Sequence, residues 1–287
     1  WYQGTADAVY QNLNLLLDFH PDVVAIFGAD HVHRMDIGQM LAYHQDRRAD
    51  VTVAALPVPI QQAAGFGIIA VESDGRISRF DEKPAAPAAM PDDPDRALAS
   101  MGNYLFTRDI LVDAIAEDAR RSTDHDFGRT IIPELVPHAR VFGYNFRSNV
   151  VPGVWAYEET GYWRDVGTVE AYWQAHMDLL GTQPRFDLAN PRWPIYTAPY
   201  QGPSARVVAG AVTDSLLGEG TIVDDATVRR SILGRGVRVA RGAVLEESVV
   251  MDHTTVGEGA HLHRVIADRF NVIPAGGTII LAAGTYT

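Results

Sequence analysis

Three charged groups stand at the ends of apolar runs in this chain of 287 residues: Asp30, the pair Glu82-Lys83, and Asp165. Asp30 follows Val23-Val24-Ala25-Ile26-Phe27 and then Gly28 and Ala29. In open α/β sheets ligands lie outside the carboxyl ends of the strands, and a carboxylate placed there can hold a hard cation such as Mg2+. The small residues ahead of it let a ligand approach the backbone. Asp165 closes Tyr162-Trp163-Arg164-Asp165 and is a candidate second ligand for the same ion. Lys83, fixed ahead of Pro84, can set a point charge on a phosphate. Glu82 beside it can accept bonds from sugar hydroxyls. Singly, each group is ordinary, since an Asp after a strand usually serves a loop and a charged pair is usually solvated. Together they suggest metal-assisted work on a sugar phosphate.

The elements that must position these groups can be read from periodicity. Thr5 is a candidate N-cap for a helix carrying Val9, Leu13, Leu16 and Leu17 on one stripe and ending near His20-Pro21. The unbroken apolar run of residues 23–27 predicts a strand buried on both faces, hence a parallel sheet. Asp36 caps a second helix with Ile37, Met40, Leu41 and His44 inward, and residues 51–58 form the next strand. That βαβ order predicts a right-handed crossover. Residues 67–71 and 76–80 flank Ser73-Asp74-Gly75 as a hairpin, and the Pro/Ala-rich stretch 84–94 is expected to be an exposed, mobile loop. A strand over 99–106, a helix over 108–120, a loop with a short helix over 125–135 and a strand over 141–146 follow. Thr168 caps a helix bearing Val169, Tyr172, Trp173, His176, Leu179 and Leu180 and closed by Gly181, with Trp173 and His176 read as packing residues.

Residues 182–205 hold five prolines and read as a linker between a domain over 1–181 and another over 206–287. In the second, aliphatics recur six apart at Val244, Val250, Val256 and Leu262, each two places after a small residue, Gly242, Ser248, Thr254 and Ala260. Gly220/Ile222 and Ala226/Val228 repeat the device. This is the hexapeptide signature of a left-handed parallel β-helix, in which the aliphatic fills the prism and the small residue its corner. Roughly four coils are expected.

Apolar content of 47% with 21% charged residues is that of a folded globular chain, and the net charge of −12 disfavours nucleic acid or an anionic membrane as a partner. With no cysteine, disulfides and thiolate metal sites are excluded. No run is long enough to span a membrane, and a cytoplasmic protein fits.

The motifs WYQGTADAV, GADHVHRMD, GFGIIAV, FDEKP, ASMGNYLF, HDFG and YWRDVGT, followed by the hexapeptide region, closely resemble the bacterial glucose-1-phosphate adenylyltransferases over nearly the whole chain and in order. The resemblance implies a Rossmann-like α/β nucleotidyltransferase domain lacking its first βα units, followed by the β-helix. It implies transfer from ATP to glucose 1-phosphate, giving ADP-glucose and pyrophosphate for glycogen synthesis, with Mg2+ as cofactor. Asp30 and Asp165 match that family's metal aspartates, and Lys83 its sugar-phosphate lysine. Glu82, Gly67, Ser100 and Tyr104 match its glucose pocket, Tyr2 its substrate entrance, and Asp126 and Trp163 line the same cleft. The family is typically homotetrameric and allosterically controlled. Its Gly-rich nucleotide loop belongs upstream of Trp1, and the run 276–287 ends without its closing strands. The chain is therefore expected to be a fragment carrying mainly the sugar-phosphate and metal half of the site, and to be inactive alone. Other readings stay open: another sugar-1-phosphate nucleotidyltransferase, a non-catalytic regulatory or assembly subunit, or a hexapeptide acyltransferase using His253, His261 or His263.

Overall fold

The computed structural model describes residues 1–90 and 92–280. The chain forms two compact units, one of Trp1–Ala29 with Arg34–Val150 and one of Asp30–His33 with the residues from Val151 onward.

The first unit is built on a mixed sheet. Strand β1 is Val23–Ile26; β3, Val51–Pro59, is followed by the hairpin β4, Gly67–Val71, and β5, Ile77–Glu82, with β2 belonging to the other unit. The long β6, Arg96–Thr107, and β7, Val141–Asn145, complete it in the order β5-β4-β6-β3-β7. β3 runs parallel to β7 and antiparallel to β6. The first eight residues of β3 are buried, as are all but three of the twelve in β6, which is why the Val/Ala/Leu-rich sequences at the sheet's centre show little polar alternation. Val51, Val53, Phe106, Leu111, Ile115, Ile131 and Ile132 lie in one core beneath the helices.

β1 departs from expectation. It pairs antiparallel with β6, Val23 opposite Thr107 through Ile26 opposite Tyr104, and none of its residues is fully buried. β1 and β3 do run in the same direction, but β6 lies between them, so their shared direction comes from two antiparallel pairings. An apolar run specifies burial more weakly than it specifies a strand, because pairing partners are chosen by distant sequence.

The leading helix is also two helices, α1, Thr5–Tyr10, and α2, Leu13–Phe19. Asn12 interrupts them, its side chain donating to the Ala8 carbonyl at 2.9 Å, a local bond that competes with helix continuation. Thr5 does not cap α1; Gly4 stands at that place and the Thr5 hydroxyl is used elsewhere, as described below. Leu17 is largely exposed, whereas Val9, Leu13 and Leu16 pack on the core. Asp36 does cap α3, Ile37–Asp46, accepting from the Gly38 amide at 2.9 Å; Met40 and His44 point inward, and Ile37 is exposed. In the loop before β6, Met90 folds back against the core and its amide bonds the Arg96 carbonyl. After α4, Arg108–Asp118, a π-turn over Phe127–Ile131 leads into the short α5, Ile132–Leu135.

In the second unit β2, His31–His33, pairs antiparallel with β8, Trp163–Asp165. Thr168 caps α6, Val169–Met177, as expected, accepting from the Ala171 amide at 3.1 Å. Trp173, Met177 and Leu180 pack on Val249, with Ile232 and Ile266 alongside, and the Trp173 indole donates to the Glu247 carbonyl at 2.7 Å. His176 is a packing residue, its Nδ1 held by the Tyr172 carbonyl at 2.8 Å. Residues 182–204 contain neither helix nor strand.

From Arg206 the chain winds as a β-helix of three parallel sheets. Equivalent residues are sixteen apart in the first coils, Gly210 with Ala226 and Leu216 with Ile232. They are seventeen apart later, Thr227 with Val244 and Ile232 with Val249. A strict six-residue period would need eighteen, so the interior residues are spaced five or six apart: Val223, Val228, Leu233, Val239, Leu245, Val250, Val256, Leu262, Ala267 and Ile273. Val250, Val256, Leu262 and Val228 thus face inward as expected, but Val244 and Ile222 do not; Leu245 and Val223 take their places. Of the small residues, Gly220 and Gly242 form left-handed corners themselves, φ 74° and 71°, whereas Ala226, Ser248, Thr254 and Ala260 directly follow one. Glu247 and His253 carry φ of 47° and 59°, and Ser248 and Thr254 behind them are wholly buried. At one corner this builds a hydroxyl ladder: Ser215 Oγ accepts from the Ser231 amide, Ser231 Oγ from Ser248 and Ser248 Oγ from Val265, at 3.1–3.2 Å. The expectation for the run 276–287 concerns mostly residues 281–287, which lie outside the described residues; before them, Thr278–Ile280 is a strand.

The corrected register is testable. Leu245→Ala, which empties an interior position, is expected to lower the unfolding free energy by about 2–5 kcal/mol, and Val244→Ala by much less. Denaturant unfolding followed by circular dichroism compares the two; equal losses would contradict the register.

Candidate functional site

In the first unit, the end of the β4–β5 hairpin gathers five of the residues singled out above. Gly67 lies opposite Glu82 in the ladder. A Cβ on Gly67 would come within 2.8 Å of Glu82 Oε2, and one on Gly128 within 2.7 Å. The Glu82 carboxylate therefore lies against two backbone positions that only glycine leaves open. Burial, then the Asp126 carboxylate, push its pKa above the ordinary range, while Lys83 and Arg129 oppose them. Lys83 follows in a left-handed conformation, φ 47°, with its amide bonded to the Phe66 carbonyl at 3.1 Å and its side chain exposed. Tyr104, on β6, is buried and its hydroxyl is held far above its ordinary pKa by burial, with the Ser100 hydroxyl bond acting against that. Ser100 Oγ also accepts from the Gly102 amide at 3.2 Å.

Asp126 fixes this arrangement. Its Oδ1 caps the π-turn, accepting from Gly128 and Arg129 amides at 2.9 and 3.0 Å, and its Oδ2 accepts from Thr5 Oγ1 at 2.9 Å. Thr5 Oγ1 in turn accepts from the Phe127 amide at 3.0 Å. A Cβ on Gly4 would collide with the carbonyl oxygens of Asp124 and His125, so GTADAV and HDFG form one built junction. Behind it, His125 Nδ1 bonds the buried Asp118 at 2.7 Å, and Thr123 holds the other carboxylate oxygen at 2.6 Å. Sequence reasoning missed Thr5, Gly128, His125 and Asp118 as members; the signal available was that the motifs HDFG and GTADAV each set a Gly beside polar residues. Tyr2 is 62% exposed.

In the second unit, register brings Asp30 and Asp165 together. His31 pairs with Asp165, and the Val166 amide bonds the Asp30 carbonyl at 2.9 Å. Paired residues of antiparallel strands share a face, which puts His31 with Asp165 and His33 with Trp163. Arg164, on the other face, is held by Asp178 at 3.0 Å and Glu159 at 2.7 Å. Asp165 Oδ1 accepts from the Gly167 amide at 2.8 Å. Ligand atoms of Asp30, His31 and Asp165 all lie within 4.8 Å of one another, and both carboxylates are exposed. Two carboxylates at that separation suit a hard divalent cation. Trp163 is only 6% exposed, its indole edge-on to His31 with centroids 5.3 Å apart. No helix among the described residues is long and apolar enough to cross a membrane.

With this geometry in place, comparison with known proteins is informative. The nucleotidyl transferase family matches residues 2–182, and the GlmU-like C-terminal hexapeptide family residues 203–282. Over 284 residues the chain is 45% identical to a glucose-1-phosphate adenylyltransferase of Thermodesulfovibrio yellowstonii, an alignment covering 99% of this chain and 69% of that protein. It is 48% identical to one from an Anaeromyxobacter species, covering 97% and 70%, and 44% identical to one from Cutibacterium acnes, covering 97% and 69%.

The raised pKa of Glu82 has a definite sign. A carboxyl that binds its proton more tightly when folded contributes stability at low pH, and that contribution is lost as pH rises through the folded-state value. Glu82→Gln is therefore expected to be more stable than the parent at pH 7, with the difference closing as pH falls to about 4. Denaturant midpoints at the two pH values check this; a variant less stable at pH 7 would contradict it.

Proposed function

The chain belongs to the glucose-1-phosphate adenylyltransferase family of nucleotidyltransferases, and we propose that it transfers the adenylyl group of ATP to glucose 1-phosphate, giving ADP-glucose and pyrophosphate for glycogen synthesis. The observation that carries this reading is the meeting of Asp30 and Asp165, distant in sequence, within one ligand sphere. A phosphate oxygen of the sugar attacks the α-phosphorus, the bond from that phosphorus to the bridging oxygen breaks, and pyrophosphate leaves with the electron pair. Asp30 and Asp165 hold Mg2+; when bound, the ion neutralises charge on the phosphates. Lys83 supplies the sugar phosphate with a cation free to move on an exposed stem. Glu82, kept against Gly67 and Gly128, accepts from glucose hydroxyls, and Ser100, Tyr104 and Asp126 fix the surrounding wall. Trp163 supports the metal strand pair through His31, and Tyr2 contributes at the substrate entrance. The work is mostly positioning, which the number of backbone-fixed carboxylates supports. Family membership further supports a homotetrameric assembly.

Pyrophosphate release on mixing with ATP and glucose 1-phosphate, with ADP-glucose as co-product, tests the reaction, and turnover by these 287 residues would overturn the expectation that they are inactive alone. Lys83→Ala is expected to raise the KM for glucose 1-phosphate by roughly ten- to a hundredfold, the loss of one charge-assisted contact, and to leave that for ATP nearly unchanged. An equal rise for both substrates would overturn the role given to Lys83.

A further inference from the structure

Resting on the reading of Asp30 and Asp165 as metal ligands, we propose that His31 is a third ligand through Nε2 and makes the site prefer Mn2+ or Co2+ over Mg2+ more strongly than two carboxylates alone would. Three observations carry it. First, the β2–β8 register sets His31 opposite Asp165 and on its face of the ribbon, while Asp30 immediately precedes it. The three side chains offer one nitrogen and two carboxylate oxygens within 4.8 Å of one another. Second, the imidazole is shielded where the carboxylates are exposed. Its side chain is 12% exposed against 58% for Asp30, and the Trp163 ring packs edge-on against it. Third, its own polar atoms are poorly served. Nδ1 is buried without a hydrogen-bond partner, and Nε2 lies 3.6 Å from Asp30 Oδ1, beyond a good hydrogen bond. No short bond thus engages Nε2, and it is left available to a cation shared with Asp30 and Asp165.

The chemistry follows from the donor. Mg2+ is strongly hydrated and favours oxygen, so it gains little from an imidazole. Later divalent ions of the first transition row gain progressively more from nitrogen. His31 therefore discriminates between metals, beyond holding one.

The full chain loaded with Mn2+ alone provides the test, read by pulsed electron paramagnetic resonance. The parent is expected to show nitrogen modulation on the bound Mn2+. Labelling histidine with 15N should change it to the 15N pattern, a measurement that needs no substitution. In His31→Gln, checked for folding by circular dichroism, the modulation should vanish. Mn2+ affinity by calorimetry should fall about tenfold, and Mg2+ affinity by less. Bound Mn2+ without nitrogen modulation in the parent, or modulation that persists in His31→Gln, overturns the role of His31 and leaves the carboxylate reading standing. Mn2+ binding unchanged in both Asp30→Asn and Asp165→Asn, or no binding to the parent, overturns the carboxylate reading itself and this inference with it.

Discussion

The carboxylate of Asp126 is the constraint on which the first unit's chemistry depends. One oxygen satisfies two amides at the mouth of the π-turn, and the other receives the Thr5 hydroxyl from the chain's beginning. Glu82 feels burial first and the Asp126 charge second, and both favour its protonated form. The exposed Lys83 and Arg129 pull the other way. One carboxylate thus sets the turn, anchors α1 and biases the acid whose oxygen rests against Gly67 and Gly128. A Cβ at Gly128 would meet the Glu82 carboxylate first, and one at Gly67 would meet the Phe80 ring and then that carboxylate.

The second unit solves a different problem, that of holding β2, β8 and α6 on a solenoid. Trp173 inserts its indole between the α6 helix and the Glu247 corner, and Arg264 lies over its ring at 3.8 Å. The left-handed corner residues Asp214, Arg230, Glu247 and Arg264 stack in alternating sign, with Arg230 2.9 Å from Asp214 and Arg264 3.5 Å from Glu247. The more exposed of these pairs, Arg230 with Asp214, contributes little singly. Their value is geometric, because Asp214 also receives the Gly181 amide that ends the α6 region, and Glu170 on α6 reaches Arg264.

What was legible in the sequence follows from the range of each interaction. Asp36 and Thr168 cap their helices as read, and the Gly75 turn falls where composition puts it, because those signals act over three or four residues. Asp30 and Asp165 could be suspected from their places after strands and from family resemblance, and the β2–β8 register then unites them. Thr5 was misread because a hydroxyl near a helix start has two possible uses, and the choice was made by Asp126, 121 residues away. β1 was misread because burial of an apolar run depends on which strand pairs with it. The hexapeptide period located the solenoid but misplaced Val244 and Ile222, since a period of six and a mixture of fives and sixes agree over two repeats and diverge over four.

The coil that lengthens from sixteen to seventeen residues shows where such a solenoid can tolerate length variation. Between interior Val223 and Ala226 the chain has Asp224 and Asp225; the equivalent stretch one coil later, between Val239 and Ala243, has Ala240, Arg241 and Gly242. The added residue is absorbed at the corner where the Gly242 amide still bonds the Asp225 carbonyl. The strands on both sides keep their pairing. Inserted within a strand, the same residue would reverse every side chain beyond it, exchanging interior for solvent. In this solenoid a residue is thus added at a corner, and a coil's length changes there while the interior positions keep their register.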